Sequence, residues 1–122
     1  MSQSRAEYER VWPWLAAAVQ RYGDTHSKED IWGAITRGTA QLHPLPNSAI
    51  VTSIESYPTG RKEMRCWLAG GDLTEIKAYE PALCKWAREE GCHVMGIVGR
   101  RGWVKSLDGY RETATILTKE LT

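Results

Sequence analysis

The sequence predicts an α+β domain: a mixed β-sheet of about four to five strands, helices at the N-terminus and one long central helix. Three observations predict it. Apolar residues recur at helical spacing across residues 4–22 and 73–90, and a β-branched run, 49–57, and a second, largely apolar run, 64–69, flank a turn composition. A short apolar run, 94–98, then follows the long helix, so strand, helix and strand succeed one another.

In the first helix Tyr8, Val11, Trp12, Leu15, Val19 and Tyr22 fall on one face, and Gly23 ends it. Pro13 lies inside that pattern, so a kink or two short helices is expected. Ser27 caps a second helix, with Asp30 three residues later completing a capping box, Ile31, Ala34 and Ile35 facing inward, and Gly38 as the stop. The stretch 43–48, His-Pro-Leu-Pro-Asn-Ser, reads as a proline-bounded loop. Residues 49–57 and 64–69 form an antiparallel hairpin around Pro58, Thr59, Gly60, Arg61 and Lys62. Asp72 then caps the long helix, with Glu75 reaching back as its capping-box partner. That helix turns Leu73, Ile76, Tyr79, Leu83, Trp86 and Ala87 inward, carries Pro81 as a kink and stops at Gly91. The strand at 94–98 closes a βαβ unit, which implies parallel pairing with the strand before the helix. A brief helical segment over 103–107, a turn at Asp108-Gly109 and a last, threonine-rich strand over 112–118 complete the order.

At 122 residues the chain reads as one domain, 1–122, mainly helical over 1–47 and carrying the sheet and the long helix, 73–90, over 48–122. Size scaling gives roughly 6,600 Å² of folded surface, with around two thirds of the open chain's surface buried. Sixteen basic against fifteen acidic residues leave a net charge of +1, which denies the molecule the global field of a typical nucleic-acid binder. The longest apolar runs are a few residues and no charged leader precedes one, so neither a membrane span nor a signal peptide is expected. Cys66, Cys84 and Cys92 are odd in number and scattered, which suits free thiols in a reducing compartment or a virion interior. No Cys-x-x-Cys pair or distal histidine pair accompanies them, so no metal site is expected. His26 and His43 have no acid or nucleophile at motif spacing.

The order helix, helix, hairpin, long helix, strand, short helix, strand resembles the GNAT family, the acyl-CoA N-acyltransferase fold. Residues 86–121, WAREEGCHVMGIVGRRGWVKSLDGYRETATILTKEL, resemble the second half of a GNAT domain, with Leu107-Asp108-Gly109-Tyr110 at the turn that opens the last strand. The phrases WLAGGDL, WAREEGC and GRRGW also resemble small GNAT-like proteins encoded among the virion genes of tailed bacteriophages. The family's cofactor loop, Gln/Arg-x-x-Gly-x-Gly/Ala before the long helix, presents amides and a helix dipole to the donor's pyrophosphate. Here Gly70 and Gly71 are what remains of it. No basic residue precedes them, and Asp72 and Glu75 place negative charge at the helix start, where a pyrophosphate would cost on the order of a few kcal/mol. The family's general-acid tyrosine falls near Lys105, and Tyr110 is read as the packed aromatic of the turn.

The resemblance therefore implies the fold without the catalytic residues: a GNAT-like structural or interaction protein with no cofactor, a component of a tailed-phage virion at the portal, tail or capsid interior. Its partners would be other virion proteins, present in several copies, and its location the virion or the host cytoplasm. An acetyl-CoA-dependent N-acyltransferase using Gly70 and Gly71 is the alternative, and a nucleic-acid contact through Arg61, Lys62, Arg100 and Arg101 a weaker one. Arg100 and Arg101 lie between Gly99 and Gly102 ahead of a helical segment. Together with Trp103, Trp12 and Trp14 they are candidates for a partner surface. A solvated turn with Trp103 in the core fits the same residues.

Overall fold

The computed structural model describes residues 4–98 and 106–121. Three helices and one four-stranded sheet follow one another as α1 (Arg5–Tyr22), α2 (Lys28–Arg37), β1 (Gln41–Leu45), β2 (Ser48–Ser56), β3 (Lys62–Gly71), α3 (Leu73–Glu89) and β4 (Val94–Ile97). The sheet order is β1-β2-β3-β4, antiparallel up to β3 and parallel between β3 and β4. This is the mixed α+β architecture expected, with the crossover helix α3 between the two parallel strands.

Both N-terminal helices start on serine caps. Ser4 accepts from the Glu7 amide, and Ser27 with Asp30 makes the expected capping box. Helix α1 runs unbroken through Pro13 and is not two short helices. Pro13 is exposed, so its ring faces solvent and the helix loses one backbone bond rather than its path. The segment read as a proline loop is largely strand. Gln41–Leu45 pairs with Ser48–Thr52 around a two-residue turn, and an edge strand tolerates Pro44 because only one of its sides must donate.

The sheet separates two apolar layers. On one face Tyr8, Val11, Leu15, Val19, Ile31 and Ile35 of the N-terminal helices bury against Leu42, Val51 and Leu68. On the other, α3 buries Ile76 and Leu83 against Ile50 and Cys66. Leu73, expected inward, is 46% exposed, since it opens α3 a full turn before the helix reaches the sheet. The strand expected over 112–118 is not seen: residues 111–121 lie in no ladder of the described sheet. Of the helical segment expected over 103–107, residues 103–105 lie outside the described residues; the turn at Asp108-Gly109 is present, with Gly109 at φ +84°.

Candidate functional site

Two irregularities coincide at the middle of β3. Val51 pairs with Leu68 and Thr52 with Cys66, so Trp67 is an extra residue, a β-bulge. The bulge reverses the facing of the strand: Cys66 points to the α3 layer, Trp67 and Leu68 both to the α1–α2 layer, and Ala69 back to α3. At the same place the parallel partner ends. The register stops at Cys66 with Ile97, and the Val98 amide makes the last bond, to the Cys66 carbonyl at 3.2 Å. From Trp67 to Gly71, β2 is the only ladder neighbour of β3 among the described residues, which leaves a fork on its other side.

The phase of the ladder decides which groups face the fork. The Asp72 amide donates to the Asn47 carbonyl at 3.0 Å, so alternate residues from there, Gly71 and Ala69, turn their amides and carbonyls away from β2. The Ala69 carbonyl accordingly accepts from Arg21 Nη2 of α1 at 3.3 Å. Under the fork, on the α3 side, lies an apolar cavity of about 20 Å³, enough for a group of water or methyl size. Ala69 and Ile97 contribute from the two diverging strands, and Glu80 and Tyr110 close it. The Tyr110 hydroxyl donates to Glu80 Oε2 at 2.9 Å, and the Cys84 thiol donates to the same oxygen at 3.0 Å. Burial holds the Tyr110 hydroxyl protonated well above the usual phenol range, and the bond to Glu80 adds to this. Burial likewise raises the Cys84 thiol to about 11 and Cys66 to about 12, so neither is a nucleophile at neutral pH.

A second polar group sits beneath the same helix. Thr52 gives its one proton to Gln41 Oε1 at 2.9 Å and can therefore only accept from His43 Nε2, at 2.9 Å. This network assigns the proton to Nε2, and the bare Nδ1 takes the Tyr79 hydroxyl at 3.1 Å. Burial depresses His43 to about 4.

Gly70 and Gly71 owe their lack of a side chain to packing. A Cβ at Gly70 would overlap the Trp14 carbonyl, and Gly71, at φ +110°, would drive one into Asn47 and Ser48 of the β1–β2 turn. The start of α3 is closed as well. Asp72 Oδ1 accepts from the Thr74 and Glu75 amides at 2.9 and 3.3 Å. Glu75 does not reach back to Asp72 as expected. Its carboxylate takes the Asn47 amide at 2.8 Å and the Ser48 hydroxyl, because the Asp72 amide is already spent on Asn47. These bonds hold Glu75 below the usual carboxylate range, Ser48 contributing most. A donor's diphosphate approaching this helix start therefore meets the charge of two bonded carboxylates, which opposes it. The fork does fit an acyl-thioester arm, with backbone groups at its edge and an apolar cavity below.

Of the partner-surface candidates, Trp12 and Trp14 are half-buried against the α1–α2 layer, with Tyr8 5.7 Å from the Trp12 ring. Arg100, Arg101 and Trp103, like Lys105, lie outside the described residues. Lys62 is occupied: its ammonium donates to the Glu90 carbonyl at 2.7 Å and its amide to His93 Nδ1 at 3.0 Å. All three cysteines are free thiols, Cys66 buried and the other two half-buried. Among the described residues no helix is long and apolar enough to cross a membrane. Glu80 and Ala69 were not singled out from sequence. Glu80 had a signal, since it falls on the stripe Ile76, Leu83, Ala87, the one charged residue in an apolar row. The free edge at Ala69 had none, because ladder phase is a property of three strands together.

No protein-family model matches the chain, and no curated protein matches its sequence. Solved structures do. A probable acetyltransferase superposes with a TM-score of 0.70 at 10% identity, covering 100% of this chain and 95% of the other. A ribosomal-protein-alanine N-acetyltransferase from Brucella melitensis gives 0.60 at 10% identity over 93% and 94%. A transcriptional regulator from Bacillus halodurans gives 0.65 at 14% identity over 99% and 97%. The chain thus has the GNAT acetyltransferase fold over its whole length. The expectation of a non-catalytic phage virion component is corrected: the structures with this fold include acetyltransferases and a transcriptional regulator, and nothing in the likeness supports a virion part.

Proposed function

We propose that the protein is an N-acyltransferase that moves a small acyl group from a thioester to an amine. The observation that carries this reading is the edge of β3 at Ala69 and Gly71, which no described strand pairs, over a small apolar cavity in which a carboxylate holds a tyrosine hydroxyl. An acyl thioester such as acetyl-CoA would supply the acyl carbon and a sulfur leaving group. The Ala69 amide offers an extended, amide-bearing arm the hydrogen bond of an added strand. The cavity beneath admits a methyl-sized acyl tail and little more. Glu80 accepts the proton the amine loses as the C–N bond forms. Tyr110 gives its own proton to the sulfur as the C–S bond breaks, and Glu80 then returns the gained proton to Tyr110. The raised Tyr110 pKa keeps the hydroxyl protonated through the neutral range.

Thiol release from acetyl-CoA with a panel of primary amines tests the reading. Thiol and acylated amine should appear in equal amounts, and Glu80→Gln and Tyr110→Phe should each lower kcat by roughly 10²- to 10⁴-fold with the fold retained. No thiol release with any amine, or undiminished rates in both variants, would sink it.

A further inference from the structure

Helix α1 lies across the sheet and ends at the fork. Its contacts follow the sheet in chain order: Arg10 donates to the Leu45 and Pro46 carbonyls at the β1–β2 turn, the Trp14 carbonyl rests where a Cβ of Gly70 would stand, and Arg21, in the last turn, reaches the Ala69 carbonyl of β3. Arg21 differs from the other two arginines of the helix. Arg5 is paired with Glu9 and Glu29 and Arg10 with Glu7, whereas Arg21 is exposed, makes no ion pair among the described residues and holds one backbone carbonyl at 3.3 Å. That carbonyl is one the ladder phase turns toward the fork. An extended arm that adds to β3 at Ala69 as a strand would use both backbone groups, giving an amide proton to the carbonyl and accepting one from the amide. The Arg21 guanidinium already stands where the arm's donor would.

Resting on the acyl-thioester reading above, we propose that Arg21 is a placeholder for the donor's arm and the cation for its phosphates: it leaves the Ala69 carbonyl as the arm pairs with β3 and turns to the phosphates at the start of α3. The exchange runs downhill for the side chain. A guanidinium gives up a neutral carbonyl for a phosphate oxygen, a charge-assisted bond roughly twice as strong. The need for a cation is set by Asp72 and Glu75, whose carboxylates hold the helix start and oppose a phosphate there. Arg10, whose field reaches Glu75, is itself held by Glu7 and two carbonyls of the β1–β2 turn. Three residues of strand, about 10 Å, separate Ala69 from Asp72, within the sweep of one arginine side chain turning on its Cα. Arg21 thus makes a phosphate-bearing thioester the preferred donor and takes no part in the chemical step.

Calorimetric titration with CoA and, separately, with pantetheine, which has the arm without the phosphates, tests the exchange. The parent should bind CoA the more tightly. Arg21→Ala should weaken CoA about tenfold, as the loss of one charge-assisted contact does, and bind pantetheine at least as tightly as the parent, because the Ala69 carbonyl is open to it. Arg21→Lys keeps the charge and should recover most of the preference for CoA. A brace that only ties α1 to β3 would lower both ligands together on substitution. That result, an unchanged ratio of the two affinities in Arg21→Ala, or an Arg21→Lys no better than Arg21→Ala overturns the proposal and leaves the acyl-thioester reading standing. A parent that binds neither ligand overturns both.

Discussion

Folding fixes the protonation state of His43. The imidazole is wedged between Thr52 and Tyr79, with Trp86 edge-on at 5.2 Å, and it is neutral with its pKa lowered from 6.5 to about 4 by burial. The folded value lies below the unfolded one, so falling pH loads protons onto the unfolded chain first. The stabilising contribution is complete above pH 6.5 and is lost as pH drops toward 4, a change of about 3 kcal/mol at most. Exposed carboxylates with lowered pKa, among them Glu9, Glu29 and Asp30, act in the same sense at lower pH. Urea unfolding at a series of pH values should therefore show stability falling from pH 6.5 to 4 in the parent. His43→Gln, which can still bridge Thr52 and Tyr79 but does not titrate, should flatten that slope. An equal slope in the variant would mean that the carboxylates alone carry the acid sensitivity.

At the scale of the element, α3 shows how a cap and a ligand site compete for the same amides. Asp72 satisfies two of the free amides at the helix start, worth about 1 kcal/mol of stability, and leaves its charge where a diphosphate would approach. Asp72→Ser keeps a capping oxygen and removes the charge. By calorimetry it should tighten CoA binding about fivefold, or ~1 kcal/mol, and leave pantetheine, which has no diphosphate, unchanged. Equal gains for both ligands would place the effect in the fork and not at the helix start. This cap was legible in the sequence, as were the Ser27 box, the hairpin and the parallel βαβ unit, because each is written in residues close together along the chain. Glu75 was misread for the opposite reason: its partners, Asn47 and Ser48, come from a turn 27 and 28 residues away. Strand β1 was hidden by Pro44 within it and Pro46 in the turn that follows, which together signal a loop locally; Pro44 is tolerated because the strand lies at an edge. The fork was illegible, since it depends on where β4 stops relative to a bulge in β3.

On the scale of the whole molecule, one sheet is shared by two apolar layers that do not touch. Leu15 is fully buried among the α1–α2 residues and Leu83 nearly so beneath α3, with β2 and β3 supplying side chains to both. Replacing either by Ala removes a buried side chain and leaves a cavity, at a cost of about 2 to 5 kcal/mol. The two residues belong to separate buried clusters, so the double variant should lose the sum of the two within about 0.5 kcal/mol. The shared strands also tie the layers into one cooperative unit, because neither helical layer can leave without exposing a face of the sheet. Trp12, Trp14, Trp32 and Trp67 pack against the first layer and Trp86 against the second, so fluorescence reports mainly the α1–α2 side while circular dichroism reports both. In urea the two signals should trace one coincident transition in the parent and in both single variants. Separate midpoints, with fluorescence persisting after α3 has melted in Leu83→Ala, would show that α3 detaches from a sheet that stays folded.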